Sequence, residues 1–127
     1  MARILVATAN ADLRAYIGEG LGAAEHELHF AASIDEVMDA AADHRFDVAV
    51  MDVFTPVLEG VALAATLARA CPHTRILALL DYTTARARNY ELHVWAESVL
   101  TKPLSGERIA NEVAFLLEKP ARRAVPA

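Results

Sequence analysis

Arg3-Ile4-Leu5-Val6-Ala7-Thr8 is a near-continuous apolar run at the start of a chain of 127 residues. Such a run reads as a strand buried on both faces, because a strand with one wet face alternates apolar and polar residues. Leu13, Ile17 and Leu21 follow at i, i+4 and i+8, the stripe of a helix packed on one side. A doubly buried strand followed by an amphipathic helix is the unit from which parallel sheets are built.

The alternation continues outward from that unit. Glu27–Ala32 reads as a second, weaker strand. Ser33 and Glu36 form an S-x-x-E capping box, opening a helix with Ile34, Val37, Met38 and Ala41 on its inner face. Asp47–Asp52 is a third strand. Leu63, Leu67 and Cys71 mark a third helix, ended by Pro72. Arg75–Leu80 is a fourth strand and Thr84–Val94 a fourth helix. Ser98–Thr101 is a short fifth strand. Ser105 caps a last helix with Ile109, Val113, Leu116 and Leu117 inward. This succession predicts an α/β fold, a doubly wound five-stranded parallel sheet with helices on both faces. Residues 1–119 make up the domain. Residues 120–127, with two prolines and the pair Arg122-Arg123, read as an extended tail or the stump of a linker.

Composition narrows the function classes. Hydrophobic residues are 55% of the chain and charged residues 23%, a globular balance. The single cysteine, Cys71, excludes a disulfide framework and a multi-cysteine metal site. A net charge of -5 argues against a nucleic-acid-binding surface. No apolar run approaches the roughly 18 residues of a membrane span, and no signal-peptide core is present, so a cytoplasmic domain is expected. The 27 alanines favour helix. Ten arginines stand against two lysines, Lys102 and Lys119, so a lysine is the unusual cation here.

In parallel α/β sheets, ligand chemistry sits at the carboxyl ends of the strands. Those ends are Thr8–Asn10, Asp52–Pro56, Leu80–Tyr82 and Thr101–Pro103. Asp52 and Lys102 point at one crevice from two strands. Asp supplies a nucleophilic carboxylate and Lys neutralises phosphoryl oxygens, so the two suit a phosphorylation site. They suit equally a plain ion pair closing the sheet edge.

With Pro56 and Gly60 after Asp52, and Val99-Leu100-Thr101-Lys102-Pro103-Leu104, the chain resembles a response-regulator receiver domain of two-component signalling. The opening Arg3-Ile4-Leu5-Val6 with Leu13-Arg14 behind it adds to the likeness, which spans residues 3–118. The resemblance implies the flavodoxin-like strand order 2-1-3-4-5, for which a receiver is a standard example. It also implies that Asp52 is the phosphoacceptor and Lys102 the phosphoryl-binding lysine. The bond between Lys102 and Pro103 is typically cis in the family.

The departures from that pattern shape the functional expectation. The acidic pair that holds Mg2+ in receivers is replaced by Thr8 and Ala9, which offer no carboxylate to a hard cation. Leu80 stands at the hydroxyl position ending the fourth strand, and Val99 at the switch aromatic of the fifth. An ordinary receiver pocket, with three carboxylates and one ammonium, carries a net charge of about -2 and invites a divalent cation. Asp52 with Lys102 is neutral. Asp81 follows Leu80 and is the one nearby carboxylate that would alter the count. The expectation is an atypical pseudo-receiver acting as a phosphorylation-independent protein-interaction module. It has no catalytic residues of its own, no cofactor, and weak or absent Mg2+ binding. The alternatives are a receiver still phosphorylated at Asp52 by a histidine kinase and a small-molecule-binding flavodoxin-like domain.

The remaining reactive residues are quieter. His26, His29, His44, His73 and His93 show no convergent spacing and read as surface residues. Cys71 reads as a small buried hydrophobe. Thr8-Ala9-Asn10-Ala11-Asp12 lacks the glycine of a flavin phosphate loop, and no Ser sits in a nucleophile elbow. On the fourth helix, Leu92 and Trp95 lie roughly opposite Tyr90 and Val94, leaving a surplus apolar stripe. The receiver likeness implies that this helix, the fifth strand and the last helix form the partner surface. It would hold Arg86, Arg88, Glu91, Leu92, Glu97, Arg108 and Glu112. The partner would be a protein or effector, or a second copy of the chain through the same surface; neither nucleic acid nor membrane is expected.

Overall fold

The computed structural model describes residues 2–52, 60–80, 94–102 and 104–119. Five strands, β1 (Arg3–Ala7), β2 (Glu27–Ala31), β3 (Val48–Asp52), β4 (Arg75–Leu80) and β5 (Ser98–Thr101), form one sheet in the order β2-β1-β3-β4-β5. Every pairing is parallel. The described helices are α1 (Ala11–Ala23), α2 (Ile34–Asp43), α3 (Gly60–Ala70) and α4 (Gly106–Leu117). The architecture is the flavodoxin-like one expected from the alternation. The helix expected over Thr84–Val94 lies outside the described residues except for Val94, which is helical together with Trp95.

Each side of the sheet has its own apolar layer because successive strand side chains point to opposite faces. Ile4, Val6, Val48, Val50, Leu77 and Leu79 pack with Ile17 and Leu21 of α1 and Ile109, Val113 and Leu116 of α4. Leu5, Ala7, Ala49, Met51, Ile76, Ala78 and Leu80 pack with Val37 of α2 and Leu63, Ala64 and Leu67 of α3. All of β3 is buried, and Leu5 and Leu77 are no more than 1% exposed, as a central strand requires. Each large side chain so buried contributes about 1.5–3 kcal/mol.

Local chemistry sets the helix starts. The Asn10 side chain accepts from the backbone N–H of Asp12 and Leu13 and so caps α1. Ser33 Oγ accepts from Glu36 N at 3.2 Å, and its hydroxyl lies 3.3 Å from the Glu36 carboxylate, the expected capping pair. Ser105 caps α4 through Arg108 N.

Some bounds differ from expectation. β1 ends at Ala7 and β2 at Ala31, and β3 begins at Val48, so Thr8, Ala32 and Asp47 flank their strands. α3 ends at Ala70, which leaves Cys71 past the helix. Ile34, expected inward, is exposed: it is the first residue of α2, above the level of the packed stripe.

α1 and α4 lie side by side and touch through backbone. A Cβ on Gly20 would stand 2.7 Å from the carbonyl oxygen of Gly106, a distance that real side chains do not adopt. Only glycine permits that approach.

Candidate functional site at the carboxyl ends of the strands

The sheet register brings three residues to one point. Thr8 directly follows β1, Asp52 ends β3 and Lys102 directly follows β5. Thr8 N donates to Ala31 O at 2.9 Å and Lys102 N to Leu80 O at 2.7 Å, so each backbone extends its ladder by one bond. Thr8, Asp52 and Lys102 therefore inherit the alternation of Val6, Val50 and Leu100, whose side chains all lie in the α1/α4 layer.

Asp52 is only 3% exposed, and its two carboxylate oxygens are held differently. Oδ2 accepts the Thr8 hydroxyl at 2.9 Å. Oδ1 accepts Lys102 Nζ at 2.8 Å, an ion pair whose lysine side chain is 28% exposed. A carboxylate this deep stands only with a countercharge and hydrogen-bond donors. Thr8 supplies the neutral donor and Lys102 the charge. Thr8 Oγ1 in turn accepts Asn10 N at 3.1 Å, and Asn10 caps α1. A continuous set of hydrogen bonds thus runs from Asp52 through Thr8 to the first turn of α1.

Among the described residues this donor set does not fit Mg2+. One carboxylate, already paired with an ammonium, and one hydroxyl face each other where a hard cation needs several anionic oxygens. Ala9 is exposed and carries no side-chain ligand atom. Asp81 and Pro103 lie outside the described residues. No cluster of three His, Cys, Asp or Glu side chains able to hold a metal occurs among the described residues.

Leu80 and Val99 face the other layer. Leu80 is fully buried among the residues between the sheet and α2/α3, and Val99 packs against the same cluster. Trp95 packs there too, with the Arg69 guanidinium carbon 4.8 Å from its ring centroid. Part of the surplus stripe is thus local packing. Of the expected partner surface, Arg86, Arg88, Glu91 and Leu92 lie outside the described residues. The described members bond within the domain: Arg108 to Glu112 at 2.8 Å, Ser98 Oγ to Glu112 at 2.9 Å, and Ile76 N to Glu97 Oε1 at 3.5 Å. Burial raises the pKa of Glu112, but the bonds from Arg108 and Ser98 outweigh it and hold the carboxyl below its usual range.

The reactive residues elsewhere behave in part as expected. Cys71 is half-buried against the core, and desolvation pushes its thiol pKa up, which disfavours the nucleophilic thiolate. The histidines hold one surprise. His29 on β2 and His44 after α2 bring their rings to 4.6 Å, with Phe46 edge-on to His29 at 5.2 Å. Glu27 bonds His29 Nε2 at 2.8 Å. Sequence spacing does not show this convergence, because it joins an edge strand to the loop after the next helix.

Residues 4–114 match the family model described as "Response regulator receiver domain". The chain belongs to the receiver-domain family. Its fold is shared with the chemotaxis response regulator CheY4 of Vibrio cholerae, at 26% identity and a TM-score of 0.81, with 91% of this chain and 98% of that one covered. A response-regulator receiver-domain protein from Clostridium thermocellum is 19% identical, with a TM-score of 0.83 over 92% of this chain and 94% of that one. NtrX from Brucella abortus is 20% identical, with a TM-score of 0.84, and there the match covers 92% of this chain but 27% of the longer protein. No curated protein sequence matches the chain. The chain is thus a receiver domain of two-component signalling. Among the described residues no helix is long and apolar enough to cross a membrane.

Proposed function

We propose that this receiver works as a phosphorylation-independent protein-interaction module of bacterial signal transduction, in the cytoplasm and without catalytic activity of its own. The observation that carries the reading is the pairing of Asp52 with Thr8 and Lys102. In receiver chemistry the aspartate attacks phosphorus while bound charges stabilise the transferring group, so catalysis rests on positioning and electrostatics. Here one oxygen of the nucleophile accepts the Thr8 hydroxyl and the other the only described ammonium beside it. Thr8 also stands where receivers carry a metal-binding acid. Among the described residues Asp52 and Lys102 balance in charge, and a site so balanced lacks the electrostatic pull for a divalent cation, without which transfer loses several kcal/mol of stabilisation.

A second reading keeps phosphorylation at Asp52. It is favoured by Lys102, whose ammonium stands at 2.8 Å from the carboxylate, where the family's phosphoryl-binding lysine acts. Incubation with acetyl phosphate and Mg2+, read by intact-protein mass spectrometry, separates the two. The first reading expects no phosphoryl adduct and partner affinity unchanged by phosphodonor. A stoichiometric adduct lost in Asp52→Asn establishes the second.

A further inference from the structure

The surface of α1 and α4 carries a groove of its own, whose lining includes none of Thr8, Asp52 and Lys102. Where Gly20 and Gly106 bring the two backbones together, a seam of about 540 Å³ opens, walled by Tyr16, Glu19, Gly20, Gly106, Glu107 and Ala110. Its floor is made of small side chains and bare backbone, and Tyr16 at its edge is 44% exposed. Glu19 on one bank and Glu107 on the other are both exposed.

The basic side chains of these two helices are turned elsewhere. Arg14 lies over the Phe30 ring at 4.7 Å, Arg108 binds Glu112, and Lys119 just beyond α4 lies over the Phe115 ring at 4.2 Å. Among the described residues no cation lines the groove. The seam is therefore apolar at its base and acidic on both banks.

We infer that the α1/α4 groove is a docking site for a basic amphipathic helix of a partner protein, which lays an apolar ridge between Gly20 and Gly106 and sets Lys or Arg against Glu19 and Glu107. A concave seam between two helices accepts the ridge of a third, and small residues let its backbone come close. Lysine and arginine suit the banks because their apolar stems cover the walls while their charges reach the rims. Acidic banks repel an anionic lipid surface and another acidic helix alike. The site deepens the interaction-module reading by naming the partner's chemistry.

The test uses the full chain and a four-turn synthetic helix with leucine on one stripe and lysine on both flanks. A peptide of the same stripe flanked by glutamate is the control. Binding is followed by fluorescence anisotropy and by amide chemical shifts. The lysine peptide is expected to bind with salt-sensitive affinity, the glutamate peptide at least about tenfold more weakly. Shifts should centre on Gly20, Ala23, Gly106 and Ala110. Glu19→Lys/Glu107→Lys should weaken binding at least about tenfold and Glu19→Gln/Glu107→Gln by less, both variants staying folded with only the small loss of melting temperature that follows from taking Glu107 out of the first turn of α4. Asp39→Lys/Asp43→Lys on α2, with the same change in net charge, should weaken it far less.

Equal loss in the α2 variant, shifts centred away from the groove, or equal binding of both peptides overturns the proposal. So does self-association of the chain that Glu19→Lys/Glu107→Lys abolishes, since the groove would then belong to a second copy. Dependence of partner binding on acetyl phosphate would defeat the phosphorylation-independent reading and leave the groove standing. Failure of the peptide test would defeat the groove and leave that reading standing.

Discussion

Thr8 donates its hydroxyl hydrogen to Oδ2 of Asp52 across 2.9 Å, with both residues almost wholly buried. A hydroxyl thus holds Asp52 from the position directly after β1. Among the described residues the site then holds one carboxylate, Asp52, and one ammonium, Lys102, and on the function proposed above it draws no divalent cation. The native chain is expected to show no Mg2+ binding at millimolar concentration and no thermal stabilisation by beryllofluoride. Thr8→Asp/Ala9→Asp should create Mg2+ binding, seen by calorimetry and by amide shifts at Asp52 and Lys102. Saturable binding to the unaltered chain would show that its metal ligands come from outside this trio.

Removing the carboxylate tests how much the domain depends on the pair. In Asp52→Ala, Lys102 and the Thr8 hydroxyl lose a buried partner. A fully buried widowed charge costs about 3–5 kcal/mol, but Lys102 is 28% exposed and water can reach it. The expected loss is about 1–3 kcal/mol in urea unfolding. Partner binding should survive. Complete loss of binding with an unchanged unfolding midpoint would instead mark Asp52 as a signalling residue.

Asp52 and Lys102 were legible in the sequence because each ends a strand in a fold where strand ends converge. The five strands were legible for a related reason. Runs such as Arg75–Leu80 are buried on both faces and need no polar positions. The ion pair with Lys102 was legible too, but the second partner of Asp52 was not. Thr8 reads in the sequence as a missing acid, and only the register of β1 against β3 shows that its hydroxyl reaches Oδ2. The His29–His44 contact and the Gly20–Gly106 crossing were hidden too. Both are products of three-dimensional packing between segments with no periodic relation. The inward stripe of α2 was misread at Ile34 because helical periodicity does not say where the core ends.

The acid limb of stability has a sign that can be worked out. Bonds from Arg108 and Ser98 hold the Glu112 carboxyl below its ordinary value of 4.5 against the opposing effect of burial. A group whose pKa is lower folded than unfolded contributes stability that is fully present above the unfolded value. That contribution is lost as pH falls from about 4.5 through the folded value. Glu112→Gln should therefore lower stability at neutral pH and flatten its decline below pH ~4.5. Urea midpoints measured across the acid range provide the comparison. Parallel curves for the two proteins would show that the carboxylate is not held by this pair.

Three substitutions at the end of α1 give opposite signs within a few residues. Gly20→Ala puts a methyl 2.7 Å from the Gly106 carbonyl oxygen, so α1 and α4 must separate, and the strain of such overpacking is about 1–3 kcal/mol. Gly22→Ala meets nothing within 4 Å and lies in the same helix. There alanine should stabilise by about 0.5–1 kcal/mol, because it removes backbone freedom from the unfolded chain without a native clash. Glu25, just past the helix, has φ of 63°, a left-handed conformation that suits glycine better than any side chain. Glu25→Gly should therefore be neutral to stabilising, despite the added freedom of the unfolded chain. Thermal melts of the three variants decide the matter. Destabilisation by Gly20→Ala with gain from Gly22→Ala requires the close crossing that also opens the α1/α4 groove. If Gly20→Ala gains as much as Gly22→Ala, the helices do not touch there and the groove loses its floor.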